Sequence, residues 1–411
     1  MGQFRKLNAL VCAALLLLAA MCLPALAESN TIFAGGTGTT EDPWQIATAE
    51  QFAAFADSVN DGSRGGYAGC TVVLTEDIDL AGMSWTPIGN MEDMEGYTTM
   101  FLGVFDGQGH TVSNMTYETN EFAIGVGLFG INVGEIRNVR MTDAVVACMD
   151  GTSQAIAALV GYNMGAVSGC EVSGAQVTGN ACVGGVIGGN MGPVSDCTVS
   201  NTTIIVIGDN DFSDGLVQCD IAECAGLVIG GGFGGTVDGC AASGTILAEG
   251  NEPVGLGGIG GCLEMMDFIT NCTADVTIVS AKGGHAIGGL CGYAGTHSNG
   301  QIVAETEGIV TTQYPCVVEN CAVSVRIEAP EATHVGGLVG TGLYYYGEET
   351  AFAVRNCSVS GEIVGAAAPG AIAGRAENSI IENCTFEVML NGEALTAEVG
   401  TTDCMYESAD Q

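Results

Sequence analysis

Cysteine is the residue whose chemistry this chain most invites. There are 18, and seven of them (Cys170, Cys197, Cys240, Cys272, Cys321, Cys357 and Cys384) stand at one place in a recurring six-residue phrase. In an exported chain so many thiols would suggest a disulfide framework. One copy of the phrase carries Val139 at that place, however, so the position asks for a small buried hydrophobe. Neighbours stacked in register would also have parallel Cβ vectors, which suit a disulfide poorly. We therefore expect a ladder of reduced thiols, with off-ladder Cys219, Cys224, Cys262, Cys316 and Cys404 the better prospects for bonds. The pairs Cys219/Cys224 and Cys316/Cys321 lack zinc-ligand spacing, and no cofactor or metal is implied.

The four histidines, His110, His285, His297 and His334, fall in no H-E-x-x-H pattern, so no peptidase zinc site is expected. Polysaccharide cleavage needs clustered carboxylates, or Ca²⁺ with a basic residue. Asp77 and Asp79 are the nearest carboxylate pair, and we read them as a strand end. Asp209, Asp211, Ser213 and Asp220 have part of a calcium-loop spacing, but the glycine comes one place late and no helices flank it, so a solvated acidic loop is the expectation. Aromatic side chains are more suggestive. Tyr293, Tyr314, Tyr344, Tyr345, Tyr346 and Phe352 cluster in or beside two long insertions that also carry Glu305, Glu307, Glu348 and Glu349. Tyrosine beside carboxylate suits glycan or protein contact, because a flat ring offers apolar area and a hydroxyl at little entropic cost.

These residues are positioned by a repeat. The phrase is Ile or Val, any residue, then Asn, Asp or Gly, then usually Cys, any residue and an apolar side chain; it starts at Ile136, Val167, Val194, Val237, Ile269, Val318, Val354 and Ile381. Its third position, Asn138, Gly169, Asp196, Gly239, Asn271, Asn320, Asn356 and Asn383, uses only residue types that tolerate left-handed backbone angles, so it is a corner. Glycine phrases ending at Gly161, Gly188, Gly292 and Gly340 precede it, with looser copies at Gly130, Gly230, Gly260 and Gly374. We read them as short buried strands in which glycine permits close backbone approach. The shortest repeat is 27 residues, too short for a propeller blade of roughly 40 or more. It suits one turn of a parallel β-helix, with equivalent residues about 4.8 Å apart. The fold class is thus all-β, a β-solenoid of about eight to ten coils. The insertions, Gly292 to Cys321 and Gly340 to Cys357, fall at equivalent places in adjacent coils and should emerge on one flank.

Ahead of the repeats, Thr48-Ala49-Glu50-Gln51 is a capping box, and Phe52, Phe55, Ala56 and Val59 share a helical face, so one helix should cover the open end of the solenoid. Strands are expected at 70–74, 85–88 and 101–105, closed by a turn at 106–109. Residues 1–27 read as a signal peptide, 28–118 as cap and first coils, 119–400 as repeats and 401–411 as a tail. A secreted or cell-surface chain with no transmembrane segment after cleavage is the expectation. The formal charge of −38, from 47 acidic and 9 basic residues, excludes a phosphate-binding stripe, so nucleic acid is not a partner.

The run D-I-D-L-A-G-M-S-W-T-P-I-G from Asp77, F-L-G-V-F-D-G-Q-G-H-T-V from Phe101 and the glycine phrases resemble the bacterial GLUG-repeat proteins over roughly Gly35 to Val399. That resemblance implies a β-solenoid on exported, often cell-surface, adhesin-like proteins and on accessory regions of some surface peptidases. It implies no catalytic residues. Together these readings point to a non-catalytic adhesin-like module binding glycan or a host or cell-surface protein through its insertions. A polysaccharide-degrading enzyme and a structural stalk are the alternatives.

Overall fold

A computed structural model describes residues 32–92, 96–208, 224–250, 253–264, 268–296, 316–344, 352–376 and 379–402. All eight corner residues have left-handed φ, between 53° and 65°. Before each corner, a short strand joins a first wall of eleven strands, from Trp44–Ile46 to Ser379–Glu382. After it, a strand joins a second wall, whose parallel path runs from Ile78–Asp79 to Thr385–Leu390 and ends in an antiparallel return, Glu393–Ala394. A third wall of seven strands, Ile124–Val126 to Thr333–Gly336, and a fourth of nine, Phe129–Asn132 to Val399–Thr401, complete the winding. Register repeats coil by coil, as in Val167 against both Ile136 and Val194. This is the expected parallel β-solenoid, and its first wall crosses residue 118 unbroken, Val104–Asp106 pairing with Glu135–Arg137.

Alternation turns every second side chain inward, so Ile136, Val139, Cys170, Val172, Cys197 and their equivalents fill a continuous dry interior. Six of the seven ladder cysteines lie there and half-buried Cys384 packs against its end, all as reduced thiols. Each also has a hydrogen-bonding task. The Sγ donates to the carbonyl two residues back: Cys170 to Ser168 at 3.4 Å, Cys272 to Thr270 at 3.2 Å, Cys357 to Arg355 at 3.1 Å, with the other four alike. The left-handed corner lies between donor and acceptor.

The glycine phrases prove to be bends rather than single strands. In A-A-L-V-G the third-wall strand Gln154–Ala157 ends, Ala158 and Leu159 turn, and the fourth-wall strand Val160–Asn163 begins. The closing glycine packs on the third-wall backbone of the preceding coil: a Cβ on Gly188 would stand 2.4 Å from Ala155 C and Ile156 N, and one on Gly340 2.3 Å from Ala286 C. Buried Asn132, Asn163 and Asn190 tie three coils together, Asn132 Nδ2 donating to Asn163 Oδ1 at 2.7 Å and Asn163 Nδ2 to Asn190 Oδ1 at 2.8 Å. Between the third and fourth walls lies a second, thin core in two separate clusters, one with Ala155, Tyr162 and Met164, the other with Cys182, Cys224, Val254, Cys262, Ala286 and Tyr293.

The helix α1, Ala49–Asn60, starts at the expected cap: Thr48 Oγ1 accepts from Gln51 N at 3.3 Å, while Gln51 Oε1 reaches one residue beyond the cap and accepts from Ala47 N at 2.8 Å. Phe52 and Phe55 are fully buried and pack on Phe105, with ring centroids 5.7 and 6.1 Å away, closing the amino-terminal end of the core. The strand expected at 85–88 does not form. That segment is an extended connector, held by buried Trp85, whose Nε1 donates to Leu128 O at 3.2 Å, and by one parallel bridge from Ile88 to Phe129. Thr71–Leu74 and Val104–Asp106 are strands much as expected.

Candidate functional site

The outer face of the second wall is where the repeat presents chemistry to solvent. With Val112, Met141, Val172, Val199, Ala242, Ala274, Val323 and Val359 turned in, the residue after each must turn out. The outward row so formed runs Asp79, Ser113, Thr142, Ser173 and Ser200, and after a register shift continues as Ser243, Asp275, Ser324, Ser360 and Glu387. Every side chain in it ends in oxygen, and none is basic. A neighbouring outward row contains Thr198, Thr273, Ser358 and Thr385, and beyond it lie the corner side chains.

Two troughs open on this face. One, of about 470 Å³, lies between the two rows over coils near the carboxyl end, with Ser324, Ser360, Glu387, Ser358 and Thr385 on its sides. Val323, Val359 and Phe386 also line it. The other, of about 400 Å³, lies between corner and neighbouring row nearer the amino end, lined by Asp106, Asn138, Arg140, Glu171, Asp196 and Thr198. The backbone amides and carbonyls of a sheet interior are spent on adjacent strands, so a ligand here is read by hydroxyl, amide and carboxylate side chains.

Arginines on this wall and on the adjoining first wall are paired with carboxylates. Arg137 Nε lies 2.9 Å from Asp106 Oδ2, Arg140 Nε 3.5 Å from Glu171, Arg326 Nη1 2.9 Å from Glu362, and Arg355 Nε 3.1 Å from Glu382. Thr270 Oγ1 and Asn271 Nδ2 donate to Asp238 Oδ1 at 2.6 and 2.7 Å, and these bonds hold its carboxyl below the usual range. Burial, with the charge of Asp150 added, pushes the Cys148 thiol up to about 12, and burial pushes Cys291 up as well, which lowers the thiolate fraction of both.

The aromatic flank needs correction. Tyr293 sits inside the fourth wall, 5% exposed in the thin core, and Phe352 is fully buried in the main one. Both are packing residues, since the strands Cys291–Thr296 and Phe352–Arg355 turn them inward. Tyr344 ends the strand Val339–Tyr344, while Tyr314, Tyr345 and Tyr346 lie outside the described residues. The two insertions do leave from adjacent fourth-wall strands, Thr296 pairing with Tyr344, and return to adjacent first-wall strands, Cys316–Glu319 and Phe352–Arg355. Asp209, Asp211, Ser213 and Asp220, the signal segment, Cys219, Cys404 and His297 are also outside the described residues.

Asp77 and Asp79 do not converge. Asp77 Oδ1 accepts from Thr111 N at 2.8 Å and lies 3.2 Å from His110 Nδ1, whereas Asp79 Oδ1 accepts from Asn114 Nδ2 at 2.8 Å and Ala81 N at 3.0 Å. His285 Nδ1 bonds Thr333 Oγ1, and its ring lies 6.0 Å from that of His334. Cys224, expected among bonded cysteines, has its sulfur 3.6 Å from Cys182 Sγ, a contact and not a covalent bond; Cys262 and Cys316 are buried. Among the described residues, no three His, Cys, Asp or Glu side chains are grouped to hold a metal ion, and no helix is long and apolar enough to cross a membrane.

The polar row itself was missed from sequence, although the signal is simple: each member from Ser173 on lies three residues past a ladder cysteine.

Comparison with known proteins fits this geometry. The GLUG motif matches at residues 179–205 and 331–364, and each match spans one complete winding through all four walls. The chain therefore carries GLUG repeats, as its phrases led us to expect. It is 30% identical over 152 residues to a chain of Evansella cellulosilytica described as a Gly-rich membrane protein, covering 35% of this chain and 16% of that one. It is 30% identical over 162 residues to the halomucin of Haloquadratum walsbyi, covering 37% of this chain and 2% of that one. The chain thus spans only a small part of these relatives' length. A solved Bacteroides ovatus chain described as an immunoglobulin A1 protease aligns over 90% of this chain and 84% of its own, at 16% identity and a TM-score of 0.38.

Proposed function

We propose that this GLUG-repeat solenoid is a non-catalytic, exported or cell-surface module that holds a polysaccharide along the outer face of its second wall. The observation that carries the reading is the run of outward oxygen-bearing side chains, in register from Ser243 to Glu387, with two troughs on the same face. Short serine and threonine side chains lose little rotamer freedom on binding, and each hydroxyl both donates and accepts, as sugar hydroxyls do. The charge of −38 argues against nucleic acid and acidic glycans, and for neutral or amine-bearing ones. The relatives' names, a membrane protein and a halomucin, agree with a surface setting.

The paired insertions give a second reading, contact with a host or cell-surface protein, favoured by their departure from neighbouring strands and by Tyr314, Tyr345 and Tyr346. No catalytic step is assigned. The test is affinity electrophoresis of the whole chain in neutral glucan, galactomannan, chitosan and alginate gels. Ser324→Trp and Ser360→Trp, which fill the larger trough from outside the core, should weaken retardation at least tenfold, whereas Tyr345→Ala with Tyr346→Ala should not. Retardation lost only in the tyrosine variant would move the reading to the insertions. Release of reducing or unsaturated sugar would replace it with an enzyme.

A further inference from the structure

The thin core between the third and fourth walls holds three cysteines that the proposed function does not use, Cys182, Cys224 and Cys262. Two of them are set apart by geometry. Cys182 lies in the strand Ala181–Gly184 and Cys224 directly precedes Ala225–Gly226; Val183 pairs with Ala225, so the cysteines occupy adjacent rungs. Rungs of a sheet stand about 4.8 Å apart, inside the Cα separation a disulfide accepts, about 4.4–6.8 Å. Cys182 also has φ +53°, which turns its Cβ out of the regular pleat, and Cys224 lies outside the strand. The parallel side-chain vectors that disfavour bonding within the seven-cysteine ladder are therefore relieved here. The sulfurs are already in contact, at 3.6 Å.

The geometry assigns Cys182 and Cys224 as a disulfide-forming pair, oxidised by a low-molecular-weight disulfide as the chain folds. The Cys224 thiolate attacks one sulfur of oxidised glutathione, releasing one glutathione thiol and leaving a mixed disulfide. The Cys182 thiolate then attacks Cys224 Sγ, and the second glutathione thiol leaves. Two protein thiols are oxidised and one glutathione disulfide is reduced to two thiols, with the protons from Cys182 and Cys224 passing to the departing thiolates. Because the folded pair is 1–5% exposed, the exchange takes place before the walls close. The bond spans 42 residues and restricts the unfolded chain over that interval.

Refolding the denatured whole chain in reduced and oxidised glutathione, against refolding in excess dithiothreitol, tests this. Peptide mapping should yield a Cys182–Cys224 linked peptide, two fewer thiols should titrate after denaturation, and Tm should rise by several degrees. Cys262→Ala should keep the link, and Cys182→Ala should lose both link and shift. A principal link through Cys262 or a ladder cysteine, or Cys182 and Cys224 both alkylated after oxidative refolding, overturns the assignment. Mapping of the wild type alone decides the matter even if a variant does not fold.

Discussion

At the scale of single residues, the ladder cysteine combines two properties that valine, serine and alanine each only half supply. It is apolar enough for a dry interior, and its S–H reaches the carbonyl on the far side of the left-handed corner, at 3.2 Å from Cys272 to Thr270. Cys272→Ala should cost roughly 1–3 kcal/mol, from the lost sulfur volume and the unpaired carbonyl. Cys272→Val should cost less, since Val139 already fills the equivalent place. Urea denaturation with fitted midpoints measures both, and a larger loss for valine would contradict the packing argument. His334 supplies a pH test. Burial first, and then the charges of Arg375 and His285, lower its pKa from 6.5 to about 4. The unfolded chain therefore takes up the proton first, and stability is full above pH 6.5 and falls as the pH drops from about 6.5 toward 4. The shift corresponds to about 3 kcal/mol at most, and roughly half that after solvent screening of a part-exposed ring. His334→Asn, which accepts the φ of +54°, should flatten that portion of the Tm against pH curve.

At the scale of elements, the corners were the most legible feature, because a left-handed backbone narrows the choice of residue so sharply: all eight Asn, Asp or Gly positions are left-handed. Asn271→Gly, which keeps the left-handed turn and loses the exposed hydrogen bond to Asp238, should cost under about 1 kcal/mol, while Asn271→Val should cost about 1–3 kcal/mol more, as read from thermal melts. Melts that do not separate the two would show that contacts, rather than φ, fix this corner. The helix was equally readable from Thr48, Gln51 and its phenylalanines. What misled was facing. Tyr293 was placed on the flank because an insertion follows it, yet it stands one residue after the phrase's closing glycine, as Tyr162 does, and both point into the thin core. The bend inside each glycine phrase splits one apparent strand between two walls, so alternation counted straight through it gives the wrong side. The polar row suffered the opposite fate: serine in a strand carries little propensity signal, and only stacking makes it a surface.

At the scale of the whole molecule, charge is the main liability. With 47 acidic residues against 9 basic, and Arg137, Arg140, Arg326 and Arg355 already paired, the fold carries unrelieved repulsion. Raising NaCl from about 0.05 to about 1 M shortens the screening length to roughly 3 Å, so Tm by circular dichroism should climb; a flat or falling Tm would refute net repulsion as a destabiliser. The winding itself has a simpler corollary. Since Val167 occupies the place in one turn that Val194 occupies in the next, cutting out residues 167–193 would graft a corner onto its own likeness, leaving a shorter spool with the same cross-section. Length in such a molecule is a quantity that can be lost or gained in whole turns, with no new contact to invent.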